Sequence, residues 1–434
     1  MKVYIVSLGC PKNLVDSEYI AGILFKDGYQ FVDTPEEADI AIINTCAFIQ
    51  DAVKESIDVI LELSRLKKAG ILKKLVVVGC LVQRYGYKLK KEIPEVDLWA
   101  GACTFYMISQ LLKNKKDFFI SRPAFIQNRL IPRLQSTPFY TAYLKISDGC
   151  SHNCSYCLIP KLRGKMRSVP MELLIEEANS LAKQGVKEIN IVAQDTTSYG
   201  RDNNSDLKSL IKALCKIKGL KWIRLLYLSP VGITEDLLRM FEQEEKLCPY
   251  LDIPLQHIDD KILQLMNRGY KRRDIVNLLE KIRAVKRRLF IRTTFMVGFP
   301  GETEEIFQQL CDFIKEVRFD HLGVFVYSQE KGTKASRFKC QVKRDVAEKR
   351  RDIIMSIQAE ISKEKNREMI GKTISVLIEG THPETELLLV GRSSWMAPEI
   401  DGQVIINKGY GIVGEIMPVR ITDAHVYDLI GEIL

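Results

Sequence analysis

Cys150, Cys154 and Cys157 stand at C-x3-C-x2-C spacing in the run Cys150-Ser151-His152-Asn153-Cys154-Ser155-Tyr156-Cys157. Gly149 and a strand-like Tyr143-Leu144-Lys145-Ile146 precede them. Three thiolates on one short loop can take three corners of a 4Fe–4S cube, because soft thiolates suit iron–sulfur clusters. The fourth iron then lacks a protein ligand, which a reactive metal site needs and a structural one avoids. S-adenosylmethionine suits that position through its amino and carboxylate groups, and one electron from the cluster releases a 5′-deoxyadenosyl radical from it. Zinc is the competing reading, with thiols placed by chance as another. Zinc sites usually close with a fourth Cys or His, and His152, the nearby candidate, lies inside the loop.

A second set of thiols follows from the elements that would hold it. Residues 3–6 read as a strand ending at Ser7-Leu8-Gly9-Cys10-Pro11, and residues 16–25 as a helix. Residues 38–46 form a second apolar run ending in Cys46, residues 51–68 an amphipathic helix, and residues 75–80 a third run ending in Cys80. Apolar strands alternating with helices imply a parallel sheet. The carboxyl ends of such strands share one edge, where ligands bind. Cys10, Cys46 and Cys80 would therefore converge there as a second triad. Small buried residues at strand ends are the plainer alternative, and Cys103 suits that description.

The whole chain sets the bounds. With 434 residues it is long enough for about three domains. It is 46% apolar and 27% charged, the composition of a globular protein. No uncharged apolar run reaches the roughly 18 residues of a membrane span. The N-terminus reads as a first strand, its apolar run being too short for a signal peptide. The expectation is a cytoplasmic enzyme without membrane contact. Eleven cysteines in a reducing compartment favour metal ligation over disulfides.

Beyond a connector punctuated by Pro123, Pro132 and Pro138, strand and helix signals alternate again to about residue 340. Strands are expected near residues 143–147, 188–193, 222–228, 250–254, 290–297 and 321–327. Six strands at this spacing suggest a (β/α) barrel, open or closed, with active residues at the carboxyl ends. Residues 343–369 read as one long charged helix. Residues 371–434, with Gly402, Gly409, Gly411 and Gly414, read as a small all-β barrel of about five strands.

Three further motifs complete a resemblance over the whole length: Ser7-Leu8-Gly9-Cys10-Pro11-Lys12-Asn13, Ala193-Gln194-Asp195-Thr196-Thr197 and Met396-Ala397-Pro398-Glu399-Ile400-Asp401-Gly402. The chain resembles the radical-SAM methylthiotransferase family, and within it the branch acting on an aspartate of a small-subunit ribosomal protein. The tRNA-modifying branch more typically carries Gln and Met where this chain has Pro11 and Lys12. The resemblance implies an α/β N-terminal parallel-sheet domain (residues 1–118), a connector (119–138), a central radical-SAM partial (β/α) barrel (139–368) and a C-terminal β-barrel of the TRAM type (369–434). It implies two 4Fe–4S clusters, an auxiliary one on Cys10, Cys46 and Cys80 and a radical-generating one on Cys150, Cys154 and Cys157. It also implies S-adenosylmethionine as cofactor, an external electron donor, and replacement of a β C–H of the aspartate in ribosomal protein number twelve by C–S–CH3. A side-chain base cannot deprotonate an unactivated C–H, whereas a carbon radical can take the hydrogen atom. The auxiliary cluster, with one iron free of protein ligands, would present the sulfur.

Other candidates surround the radical site. Tyr156 would pack on the adenine or serve as a buried aromatic. Gln194 and Asp195 would hydrogen-bond cofactor or substrate at a strand end, or lie on a surface loop. Arg292 would pair with the cofactor carboxylate, and Gly298 and Gly301 would let backbone approach the adenine. Asp252, Gln256 and His257 are candidates for acid–base work, with His257 equally suited to a core. The run Lys161-Leu162-Arg163-Gly164-Lys165-Met166-Arg167 reads foremost as a solvated basic face, with RNA contact as the alternative.

Charge is unevenly spread. Residues 371–434 carry four Lys/Arg against nine Asp/Glu, a net −5, which leaves +14 on the rest of a chain whose total is +9. Nucleic-acid affinity comes mainly from Lys and Arg against phosphates. An acidic barrel suits a basic ribosomal protein better than RNA.

Overall fold

The structure, a computed structural model, describes residues 1–434. Its first layer is a six-stranded, wholly parallel sheet of β1 (Lys2–Ser7), β2 (Gln30–Phe31), β3 (Ile40–Thr45), β4 (Lys74–Gly79), β5 (Leu98–Gly101) and β6 (Phe118–Phe119) in the order β2-β1-β3-β4-β5-β6. All six residues of β3 are buried, which is why its sequence is a continuous apolar run instead of an alternation. Helix α1 (Pro11–Lys26) begins at once behind Cys10, five residues earlier than the periodicity suggests. Pro11 explains the difference: at the first helical position its fixed φ is already helical and its missing N–H is not needed. Helix α2 (Gln50–Lys68) buries Val53, Ser56, Ile60, Leu63 and Ser64, one stripe at helical spacing, and α3 (Cys80–Glu92) follows β4 directly. β2, β5 and β6 were not legible in the sequence, being two to four residues long.

The second layer contains β7 (Thr141–Lys145), a short antiparallel ribbon of β8 (Ser147–Asp148) and β9 (Arg167–Ser168), then β10 (Glu188–Val192), β11 (Trp222–Leu225), β12 (Leu247–Gln256), β13 (Phe290–Val297) and β14 (His321–Val326). The six main strands are parallel in the order β7-β10-β11-β12-β13-β14 and do not close. All six expected strands are present, and the barrel is open. Its outer face, including Ile189, Ile191, Ile223, Leu225, Ile253 and Ile291, packs against the helices in one large apolar core. The long expected helix is present as Arg344–Arg367.

The last layer is a closed five-stranded barrel of β15 (Thr373–His382), β16 (Thr385–Ser393), β17 (Val404–Lys408), β18 (Ile416–Ala424) and β19 (Leu429–Ile433). Its connection between β16 and β17 enters the concave face of the open barrel. The Tyr250 hydroxyl donates to Asp401 Oδ2 at 2.6 Å, and Arg292 and His321 each lie 3.4 Å from Asp401 Oδ1. Trp395 stacks on Phe290 with ring centres 4.6 Å apart. No helix is long and apolar enough to cross a membrane.

Candidate active site

Register explains the first thiol triad. In the parallel ladder Ser7 pairs with Asn44 and Thr45 with Gly79. Cys46 and Cys80 therefore lie level, one step past paired residues. Gly9 brings the end of β1 against them: with φ +91°, a Cβ there would sit 2.6 Å from Cys46 Cβ and 2.8 Å from its Sγ. Cys10, Cys46 and Cys80 thus share the carboxyl edge of the sheet. Burial pushes the Cys46 thiol up to about 11 and also raises Cys80. Burial pushes Cys10 upward too, but Lys12, Arg163 and the N–H groups of Asn13 and Lys12 outweigh it and hold that thiol below its usual value. Cys103, past the end of β5, is buried and pushed up to about 12.

The second triad lies on the loop after β8. The Cys150 N–H donates to the Gly164 carbonyl at 3.0 Å and the Cys157 N–H to the Cys154 carbonyl at 3.1 Å. Burial pushes Cys150 up to about 11 and Cys157 up to about 12. A segment from a distant helix end clasps the loop. The Ser155 N–H donates to the Met266 carbonyl at 3.0 Å, Asn267 Nδ2 to the Asn153 carbonyl at 2.8 Å, and Arg268 Nη1 to Cys154 Sγ at 3.4 Å. Tyr270 and the Pro254 carbonyl orient that guanidinium. Sequence reasoning missed Arg268, which no motif marks. The turn formed by Asn267, in the left-handed region at φ 58°, is the local signal that delivers it.

Arg163 joins the segments that carry the two triads, and its neighbour Gly164 accepts from the Cys150 N–H. Arg163 Nη1 donates to Asp16 Oδ2 at 2.8 Å and to Asp148 Oδ1 at 3.3 Å, and its Nη2 to Asn13 Oδ1 at 2.9 Å. Lys145 also pairs with Asp16. The run 161–167 is solvated only in part: Lys161 and Lys165 are exposed, but Arg163 is buried and Arg167 donates to the Phe125 carbonyl at 2.9 Å. Those backbone and carboxylate acceptors come from elements remote in the chain.

The remaining sequence candidates divide. Gln194 Nε2 donates to Asp148 at 3.3 Å while its buried Oε1 has no partner. Asp195 accepts from Thr197 and Ser198 and lies 2.7 Å from His152 Nε2. Tyr156 lies edge-on to Phe299 with ring centres 6.4 Å apart. Arg292 lies deep in the concave face between Asp252 and Asp401, both at 3.4 Å. Gly298 turns its Cα towards the long helix, where a Cβ would meet Ala347 Cβ at 2.3 Å, and its N–H donates to Glu302. His257 is fully buried, and burial and Arg350 push it down to about 3. It remains neutral, as a core histidine does.

No three Cys, His, Asp or Glu side chains are grouped for a single ion. The donor sets suit a larger group. Each triad offers three thiols and no fourth protein ligand, and the chain passes in close contact with Cys46 only because residue 9 lacks a side chain.

Comparison with known proteins follows the same three layers. Residues 2–101 match a family described as Uncharacterized protein family UPF0004, residues 144–314 the Radical SAM superfamily, and residues 370–434 the TRAM domain. The chain is 49% identical over 439 residues to the ribosomal protein uS12 methylthiotransferase RimO of Pelobacter propionicus, covering 100% of this chain and 98% of that protein. It is 46% identical over 441 residues to the protein of that name from Clostridioides difficile, covering 100% and 99%. Among solved structures, the radical S-adenosylmethionine methyltransferase TsrM of Kitasatospora setae is similar with a TM-score of 0.57 at 13% identity, covering 74% of this chain and 72% of that one. The cobalamin-dependent radical enzyme OxsB is similar with a TM-score of 0.54 at 14% identity, covering 82% and 56%. At such identities these structures speak for the fold.

Proposed function

The chain belongs to the RimO family of ribosomal protein uS12 methylthiotransferases, and from that premise we propose how its residues divide the work. It is a radical S-adenosylmethionine enzyme that methylthiolates a ribosomal protein, and it depends on iron–sulfur chemistry. We infer that the target is the β-carbon of an aspartate, that two 4Fe–4S clusters serve the reaction, and that the chain divides at residues 118, 138 and 368. An external donor supplies the electron, in the cytoplasm. When bound, cluster and cofactor supply a carbon radical able to take a hydrogen atom from an unactivated C–H.

The chain's own residues then have separate tasks. Cys150, Cys154 and Cys157 hold the radical-generating cluster, and Arg268 steadies the Cys154 sulfur. Gln194, whose Oε1 is unpaired, accepts from the ammonium of the bound cofactor. Tyr156 supports the loop from behind. Cys10, Cys46 and Cys80 hold the auxiliary cluster, with Arg163 offsetting thiolate charge between the two sites. The exposed acids Glu384, Glu386 and Asp423 on the last barrel give a basic ribosomal target a complementary surface.

The observation that carries this reading is the level placement of Cys46 and Cys80 beside Gly9, joined to the C-x3-C-x2-C loop through Arg163. Anaerobic reconstitution tests it. The native chain should bind about eight irons and the C10A/C46A/C80A variant about four. That variant should still cleave S-adenosylmethionine under reduction but transfer no methylthio group. Four irons on the native chain, or transfer by the variant, would defeat the two-cluster assignment.

A further inference from the structure

Six Lys and Arg residues are buried, and five of them, Lys145, Arg163, Arg224, Arg350 and Arg392, form ion pairs with carboxylates. Lys12 is the sixth. It is 7% exposed, pairs with no Asp or Glu, and rests its ammonium over the ring of Tyr227, 3.4 Å from the centroid. Cation–π contact returns roughly 2 kcal/mol when desolvated. Taking an ammonium out of water costs several kcal/mol, which Tyr227 and the Cys10 thiol offset here without any carboxylate. An anion arriving at the ammonium would supply a full counter-charge.

Position narrows what that anion is. Lys12 is the second residue of α1, two residues from Cys10. Tyr227 approaches from the mouth of the open barrel, just past the end of β11. Its backbone is in the left-handed region at φ 60°, held there by Asp252, which accepts from its N–H, and by Thr196, which donates to its carbonyl. Such strain costs on the order of 1–3 kcal/mol and persists where the surroundings impose it. Thr196 adjoins Asp195, which contacts His152 in the second thiol loop. The cation therefore stands beside the first triad, and Tyr227, Thr196 and Asp195 connect it to the second.

We propose that Lys12 receives the side-chain carboxylate of the target aspartate and so presents its β-carbon to the site between the two triads. This rests on the aspartate reading of the substrate given above. A carboxylate is also present on S-adenosylmethionine, but that molecule belongs with the Cys150 loop, whereas Lys12 adjoins Cys10.

The experiment uses the reconstituted holoenzyme and measures affinity for a uS12-derived peptide carrying the target aspartate and for its asparagine counterpart. A charge-assisted hydrogen bond of about 1.5–3 kcal/mol makes the native enzyme prefer aspartate roughly 10- to 150-fold. K12Q should erase the preference, and K12R should keep most of it. K12M, expected to match or exceed the native chain in denaturant resistance, separates loss of recognition from loss of fold. An intact preference in K12Q, or a K12Q defect falling on S-adenosylmethionine affinity, overturns the assignment of Lys12 alone. A native enzyme that does not distinguish the peptides overturns the aspartate reading and this proposal together.

Discussion

Arg163 shows what a residue's type conceals about its environment. Four positive charges in seven residues look like a solvated face, and two of the four arginine and lysine side chains are instead built into the boundary between layers. Asp16 and Asn13, which accept from Arg163, lie about 150 positions away in the chain, so no local pattern announces them. The cysteines are legible for the opposite reason. Ligand spacing on one loop is a local property, and strand-end placement follows from the apolar runs before it. Replacing Arg163 by Met should be costly, because it leaves buried Asp16 with Lys145 as its one ion pair and takes the nearest guanidinium from Asp148. Breaking one side of such a network costs about 3–5 kcal/mol. The expected result is a lower denaturant midpoint together with loss of iron from the first triad. Conversion to Lys should rescue stability only in part, since an ammonium cannot span three acceptors in one plane. A midpoint unchanged in R163M would mean that the carboxylates find other partners.

Elements decide how the motif residues are used. Ser7-Leu8-Gly9-Cys10-Pro11 is a strand end, a turn and a helix start within five residues, and each part has a separate physical reason. Pro11 starts α1, Cys10 stands just before it without a side-chain capping bond, and Gly9 supplies the positive φ and the close approach to Cys46. Gly298 and Arg292 teach the complementary lesson. Both lie on or just past β13, where the sequence suggests cofactor contact; Gly298 packs against the long helix, and Arg292 lies between Asp252 of β12 and Asp401 of the β16–β17 connection. Side-chain direction depends on layers that no single strand encodes. The two glycines give a comparative test. G9A should lose roughly 2–5 kcal/mol, combining a disfavoured left-handed conformation with overpacking, and its loss should appear as missing iron in the first triad. G298A carries the same kind of strain at φ +75° but displaces Ala347. Its expected signature is a lower unfolding midpoint with the iron content per folded chain maintained. Equal iron loss in both variants would contradict this division.

At the scale of the molecule, net charge was readable and its placement was not. The acidic count of the last barrel includes Asp401, which points into the concave face of the neighbouring layer, and Glu379, which pairs with Arg392 at 2.8 Å. Asp401 docks the barrel and Glu379 is paired within it, leaving others for a partner. The strongest joint is Glu188, fully buried, which pairs with Arg224 and Arg392 from two different layers, each at 2.8 Å. Burial alone would push this carboxyl up, but the two guanidiniums reverse that and hold it far below the usual glutamate range. A carboxyl depressed in the folded state binds fewer protons there than in the unfolded chain. Its contribution is therefore complete above the ordinary glutamate value of about 4.3 and is lost as pH falls further. Docking of the C-terminal barrel should be insensitive to Glu188 between neutrality and about pH 5, then weaken progressively in acid. E188Q should bring much of the same weakening to neutral pH, because two buried guanidiniums lose their shared charge, at a cost of about 3–5 kcal/mol. Limited proteolysis between the long helix and β15, followed across pH for both proteins, reads this directly. Cleavage that rises in acid for the native chain, and is already high at neutral pH in E188Q, is the expected pattern. Equal resistance of the two proteins at neutral pH would show that the Asp401 contacts hold the barrel without Glu188.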